Sequence, residues 1–160
     1  MGVDNATVAR RYMTEIWGKG DLDVVDELVA PEIVLRDPLS PEVRGIEAVR
    51  ERVRDMTATF SNGSITIDEI IVSGDRAVVC HTWRGVHRGE LFGVPGTGRT
   101  LTVKVVELLR IEGGKVVENT SYFDAYGMIQ QLGVLPPPDQ LAGALKSGTV
   151  SAARANAPQG

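Results

Sequence analysis

Apolar residues recur every three to four positions near the start of the chain. In residues 3–17, Val8, Tyr12 and Ile16 fall on one face of a helix. This period predicts an amphipathic helix. Glycines follow residue 17 and end this helix, and Asp21 is placed to cap a second helix that runs to residue 29.

A third helix is predicted over residues 45–60. Its apolar positions have helical spacing and are Ile46, Val49, Val53, Met56 and Phe60. Mixed charges occupy the positions between them from Arg44 to Asp55. This arrangement predicts that the charged face of the helix is solvated.

Beyond residue 63 the period of the pattern changes to two, which is typical of strands. The four predicted strands cover residues 64–72, 76–87, 99–111 and 116–124. A Gly-Gly turn joins the last two as a hairpin. A shorter apolar run at 32–37 predicts one more strand, which stops at Pro38. Three helices followed by an antiparallel four-strand run indicate an α+β fold, and a strongly curved sheet wrapped by helices leaves a hollow that suits a ligand.

The composition of the chain changes near residue 135, which predicts a domain boundary there. Residues 128–132 have the pattern of a short terminal helix, so residues 1–135 are predicted to form one domain. Residues 136–160 are rich in Pro, Ala, Ser and Gly and carry few large apolar side chains. We expect this extension to be mobile or loosely docked, or alternatively to form an ordered arm across a partner subunit.

Charge and composition exclude several classes of function. The net charge is −4 and no basic stripe is present, which argues against a nucleic-acid partner. No apolar stretch has the length of a membrane span or of a signal core, so we expect a cytoplasmic protein. The two histidines, His81 and His87, lie six positions apart without convergent ligands, and no metal site is predicted.

Four segments have a distinctive sequence, namely the linker at 87–99, the hairpin at 110–118, Phe123-Asp124 and Gln130-Gln131-Leu132-Gly133. They resemble the corresponding segments of the SnoaL-like polyketide cyclases of the NTF2-like superfamily. The resemblance covers roughly residues 5–135 and is more specific for fold than for function. It implies an NTF2-like cone, in which three N-terminal helices pack on a curved antiparallel sheet that encloses a pocket.

Local similarity to ketosteroid isomerase, which has the same scaffold, suggests roles for three residues. Asp37 in Arg36-Asp37-Pro38 lies where that family carries its general-base aspartate. Glu107 lies where that family carries a protonated acid that donates to an oxyanion, and Tyr12 is close to the other donor. Ser121 departs from the cyclase pattern, since cyclases of this group often carry an acid at this point of the last strand.

The strand register of the superfamily, with the alternation of side chains along a strand, sorts the candidates for the cavity. It turns Glu107 inward among aliphatic neighbours, His81 and Trp83 inward from their strand, and Asn119, Ser121 and Phe123 inward from the last strand. The helices add Tyr12, Trp17 and Met56. The predicted catalytic residues are therefore Asp37, His81 and Glu107, and the predicted substrate-binding residues are Tyr12, Trp17, Met56, Trp83, Asn119, Ser121 and Phe123.

These residues suggest a cofactor-free cyclase or isomerase acting on a small polyketide-like ketone. Asp37 or His81 would remove a proton beside a carbonyl, and Glu107 in its acid form would stabilise the enolate. Two alternatives stay open, namely opening of an epoxide by an activated water, and a role in ligand binding or as an accessory protein without catalysis. The resemblance also implies a homodimer formed through the outer sheet face, near Lys104, Leu108 and Arg110.

Overall fold

The computed structural model describes residues 3–136 and 138–148. It begins with α1 (Asn5–Arg11), which Asp4 caps by accepting a hydrogen bond from the backbone of Thr7. The helix continues directly into a π-helical segment, Tyr12–Gly18. Together they cover the predicted first helix, although the change of helix type was not predicted. Buried residues of both segments, including Val8, Tyr12 and Ile16, belong to the main core.

The second helix is shorter than predicted. α2 spans only Val25–Leu28 and has no side-chain cap. The prediction that Asp21 caps this helix was wrong, because its carboxylate instead accepts a hydrogen bond from the backbone of Asp23 in the preceding turn. This local bond satisfies the side chain before the helix starts.

α3 spans Ile46–Thr59 and agrees with the predicted third helix. Its buried residues are Val49 and Val53, which join the main core. A short helix, α4 (Ala125–Gln131), follows the last strand close to the predicted position, and Asp124 caps it through the backbone of Gly127.

Six strands form one sheet, whose order is β2-β1-β6-β5-β4-β3. Their bounds are β1 (Val29–Asp37), β2 (Ser40–Arg44), β3 (Phe60–Ser73), β4 (Arg76–His87), β5 (Thr100–Glu112) and β6 (Lys115–Phe123). The α+β class is confirmed, but the sheet is mixed, because β1 pairs with β6 in parallel. Bulges interrupt the pairing of β3 with β4, and bulges bend a strand and increase its twist.

β4 and β5 alternate between buried and more exposed positions. In β5, residues from Leu101 to Ile111 are buried at every second position, and β4 shows the same alternation from Ala77 to His87. α3 and the first helical segments pack on this buried face of the sheet. The polar side chains His81 and Glu107 therefore lie between the sheet and the helices.

The segment after residue 135 contains one further helix in its described part. α5 spans Pro138–Lys146, and none of its residues is buried. The prediction covered residues 136–160, of which 137 and 149–160 lie outside the described residues. No helix within residues 3–136 and 138–148 has the length and apolarity needed to cross a bilayer.

Candidate active site

A cavity of about 410 Å³ opens between the helices and the buried face of the sheet. This volume lies in the range of small-molecule sites. Predicted site residues that line it are Trp17, Asp37, Met56, His81, Trp83, Glu107, Asn119, Ser121 and Phe123. The sequence therefore identified nine residues that the fold brings to one cavity. The tenth, Tyr12, is fully buried behind the wall.

His81 and Glu107 form a buried pair on the sheet side of this cavity. Nε2 of His81 lies 3.3 Å from Oε1 of Glu107, and the residues are only 3% and 5% exposed. They come from neighbouring strands, where His81 pairs with Val105 and Glu107 with Val79. Their side chains are thus diagonal neighbours on one face of the sheet. Long side chains can span the separation between such positions.

The other carboxylate oxygen of Glu107 is held by two protein donors. Oε2 accepts hydrogen bonds from Nδ2 of Asn119 and Oγ of Ser121, both at 2.6 Å. Tyr12 in turn donates its hydroxyl to Oδ1 of Asn119 at 2.9 Å, which fixes the orientation of that amide. Tyr12 therefore does not contact Glu107 directly, but it orients Asn119, which donates a hydrogen bond to Glu107.

Burial keeps the Tyr12 hydroxyl protonated. Removal from water raises the pKa of this phenol far above its usual range, and the nearby Glu107 adds to the effect, although a contribution from Trp17 opposes it. Tyr12 is therefore a permanent hydrogen-bond donor to Asn119. Because the amide oxygen is occupied by Tyr12, the amide nitrogen points to Glu107.

The hydrogen bonding also indicates where the imidazole proton lies. Nδ1 of His81 is buried and has no partner within the described residues, while Nε2 faces Glu107. A proton on Nδ1 would be a buried donor without an acceptor, which is costly. We therefore assign the proton of the neutral imidazole to Nε2, which donates it to Oε1 of Glu107.

Asp37 lines the same cavity but is fully engaged by other groups. Its Oδ2 contacts Nη1 of Arg52 at 2.5 Å and accepts a hydrogen bond from Ser40 at 2.6 Å. Its Oδ1 accepts a hydrogen bond from the backbone of Leu39 at 2.8 Å. Partial burial alone would raise the pKa of Asp37, but the donors Ser40, Leu39 and Arg52 together lower it below 3.8. Asp37 is therefore a stable anion in an ion pair.

The aromatic residues of the chain are concentrated around this cavity. The sequence holds three Phe and two Trp, and all five line it. Within the wall, Phe60 and Trp83 pack edge to face with ring centroids 4.8 Å apart. Gly85 makes room for this ring, because a Cβ there would lie 2.7 Å from Trp83. The walls thus suit a ligand with a flat apolar body.

Several lining residues were not identified from the sequence. The charged face of α3 was predicted to be solvated, and Asp55 is indeed exposed, but Arg52 is partly buried and both residues line the cavity. Leu91 and Phe92 reach the cavity from the connection between β4 and β5. Within the described residues, no three His, Cys, Asp or Glu side chains are placed to hold a metal ion.

The fold and the cavity together define a class of small α+β proteins that hold a buried His–Glu pair on the wall of a mainly apolar pocket. The family model of the SnoaL-like polyketide cyclases matches residues 7–132. The chain therefore belongs to the SnoaL-like polyketide cyclase family, and the fold expected from the resemblance, an NTF2-like cone, is confirmed. This family membership identifies the protein as an enzyme of the cyclase type.

Individual relatives agree with this assignment. The aklanonic acid methyl ester cyclase DauD of Streptomyces sp. (strain C5) is 32% identical over 127 residues, which cover 77% of this chain and 78% of the relative. The nogalonic acid methyl ester cyclase of Streptomyces nogalater is 29% identical over 80% of this chain and 97% of its own. The solved structure of TsrD from Streptomyces laurentii has a TM-score of 0.73 at 30% identity, covering 83% of this chain and 99% of TsrD.

Proposed function

We propose that this protein closes a ring in a polyketide-derived ester through an enolate, with His81 and Glu107 as the acid–base unit. The observation that carries the proposal is the buried His81–Glu107 pair on the wall of an apolar cavity. The relatives named for methyl esters of aklanonic and nogalonic acids support an ester of this kind as substrate. An acid–base pair on the wall of a mainly apolar pocket suits proton abstraction from carbon.

The proton transfer starts from a neutral His81 and an ionised Glu107 that share one proton. A carbon beside a substrate carbonyl gives its proton to this pair at the edge formed by Nε2 and Oε1. The C–H electron pair moves into the carbonyl group and forms an enolate. The pair then holds two protons, while Asn119 and Ser121 keep Oε2 in place.

Ring closure uses the enolate carbon as the nucleophile. It attacks a second carbonyl carbon of the same substrate, and a carbon–carbon bond forms while the π electrons move to the carbonyl oxygen. That oxygen takes the extra proton from the His81–Glu107 pair, so the enzyme returns to its starting state. The sequence-based role of Glu107 as a protonated donor to an oxyanion is replaced here by a role within the pair, because both of its oxygens face protein groups.

In this proposal Asp37 positions Arg52 and does not act as the base. The donors around Asp37 lower its pKa and occupy both oxygens, which makes it a poor proton acceptor. Nε and Nη2 of Arg52 make no hydrogen bond to the described residues, so they are available to a carbonyl oxygen at the cavity wall.

The variant Asp37→Asn tests this division of roles. We expect proton exchange at the carbon next to the carbonyl of a β-keto ester in D₂O, followed by NMR, to fall less than tenfold.

Because the folded pKa of Asp37 is lowered, its contribution to stability is present above pH 3.8 and is lost as the pH falls below that value. Wild type should therefore lose more stability than Asp37→Asn below pH 4, measured by thermal unfolding.

Loss of exchange by a factor of 100 or more in Asp37→Asn would make Asp37 the base and contradict the proposed role of His81. No exchange by the wild-type enzyme with any β-keto ester that it binds would contradict enolate chemistry altogether. In that case the cavity would serve epoxide opening or ligand binding without reaction.

We also propose a homodimer formed through the outer face of the sheet. Val106 and Tyr122 are neighbours on this face and are exposed by 40% and 58%, and Leu108 lies beside them. Exposed apolar side chains that form a contiguous patch mark interfaces. We expect size-exclusion chromatography at micromolar concentration to give the mass of a dimer, and Tyr122→Glu to shift the protein to a monomer. A wild-type monomer at that concentration would contradict the proposal.

A further inference from the structure

The connection between β4 and β5 carries an aromatic residue in an unusual backbone conformation. Phe92 has a φ of 51° and Gly93 a φ of 78°. Leu91 and Val94 exchange two backbone hydrogen bonds of 2.9 Å around them. Positive φ at both central positions is the mark of a type I′ turn, in which Asn, Asp or Gly is strongly preferred at the first position. A bulky aromatic residue there is strained.

The base of this connection is held firmly. The backbone N–H groups of Arg88 and Gly89 both donate to the carbonyl of Thr59, at 2.8 and 2.9 Å. Thr97 binds Nδ1 of the buried His87 through both its hydroxyl and its backbone N–H. The turn that carries Phe92 is therefore presented in a defined place next to the end of α3.

The side chain of Phe92 is exposed to solvent by 59%, yet it lines the rim of the cavity. Two features of Phe92 are therefore unfavourable for the stability of the fold, namely a strained backbone conformation and a large apolar ring exposed to water. Strain of this kind persists where the surrounding structure maintains it, and it clusters at sites that hold ligands. A flat apolar ligand that covered the ring would remove its contact with water.

We propose that Phe92 is a substrate-contacting residue whose ring covers a flat, apolar part of the substrate at the mouth of the cavity. This inference rests on the proposed function for the identity of the substrate, but not for its binding. The other four Phe and Trp residues of the wall are all less exposed than Phe92, and they are Trp17, Phe60, Trp83 and Phe123. Phe92 would complete their enclosure of the ligand.

Binding of anthraquinone, a flat and neutral ring system, tests the proposal independently of turnover. Both tryptophans of the chain line the cavity, so their fluorescence reports binding directly. We expect Phe92→Asn to weaken binding at least fivefold while its Tm without ligand stays equal or rises, because Asn accepts positive φ. Phe92→Tyr restores a ring and is expected to recover the lost affinity.

Ile71→Asn is the matched control, since it replaces an apolar side chain of similar exposure, 53%, outside the cavity. Its affinity should stay within twofold of wild type. Unchanged affinity in Phe92→Asn would overturn the proposal, as would a clearly lower Tm, which would make the ring a part of the turn's own packing. Failure of wild type to bind anthraquinone would overturn the inferred ligand class.

Turnover of aklanonic acid methyl ester separates this inference from the proposed function. In Phe92→Asn we expect a higher KM with kcat within twofold, the pattern of lost binding that is common to substrate and transition state. A different result is that wild type binds anthraquinone, and Phe92→Asn binds it at least fivefold more weakly, while wild type does not turn over the ester. That combination would contradict the proposed reaction but would support the role of Phe92 in binding.

Discussion

Replacing His81 by Gln is expected to lower kcat by roughly 10²–10⁴, the usual contribution of a general acid–base group. A Gln side chain still donates a hydrogen bond toward Oε1 of Glu107, but its amide does not take up a proton at neutral pH. The fold should survive, because the substitution keeps a buried polar group beside its partner. Proton exchange of a β-keto ester in D₂O and turnover of aklanonic acid methyl ester both measure the loss.

The other histidine of the chain provides the control. His87 is fully buried and binds Thr97, and it does not line the cavity. His87→Gln is expected to lower Tm while kcat stays within threefold. In His81→Ala, added imidazole should restore part of the exchange, because the missing ring leaves a space beside Glu107. More than a third of wild-type kcat in His81→Gln would rule out the acid–base pair.

Replacing Glu107 by Gln is expected to have an effect of similar size for a different physical reason. Asn119 and Ser121 donate to Oε2, so the amide oxygen of Gln takes that place and its NH₂ group faces Nε2 of His81. The imidazole then has to accept at Nε2 and carry its proton on Nδ1, where no acceptor is present within the described residues. We expect kcat to fall by roughly 10²–10⁴.

Nitrogen-15 NMR of the histidine ring checks this explanation directly. The ring proton should be on the Nε2 side in wild type and on Nδ1 in Glu107→Gln. Glu118→Gln is a matched control, because Glu118 lies on β6 and pairs with Arg110, outside the cavity. It should leave kcat and the ring proton unchanged. An unchanged tautomer in Glu107→Gln, together with high activity, would contradict the assignment of the proton.

Side-chain alternation explains why much of the site was predictable. Residues of one strand that are two positions apart share a face, so the inward placement of Glu107 in β5 and His81 in β4 required only the register of the family. Their contact was not predicted, since it depends on the offset between the two strands, which places His81 opposite Val105. Sequence periodicity carries no information about that offset.

Elements without a strong apolar period were missed. β2, Ser40–Arg44, has Val43 as its single large apolar residue, and it forms because β1 offers it an edge. α5 was hidden by the Pro-rich and Ala-rich composition around it. Arg52 and Phe92 were missed for a related reason, since an Arg among other charges and a Phe in a Gly-rich connection resemble surface positions until the cavity is seen.

The parallel contact between β1 and β6 has a consequence for the order of folding. From Phe60 to Phe123 each strand pairs with its neighbour in the chain, so these hairpins close short loops. The pairing of Leu35 with Asn119 instead joins distant parts of the chain and is expected to form late. Asn119 also receives Tyr12 from the first helical segments. The nascent chain therefore completes the hydrogen bonds from Asn119 and Ser121 to Glu107 only once β6 has left the ribosome.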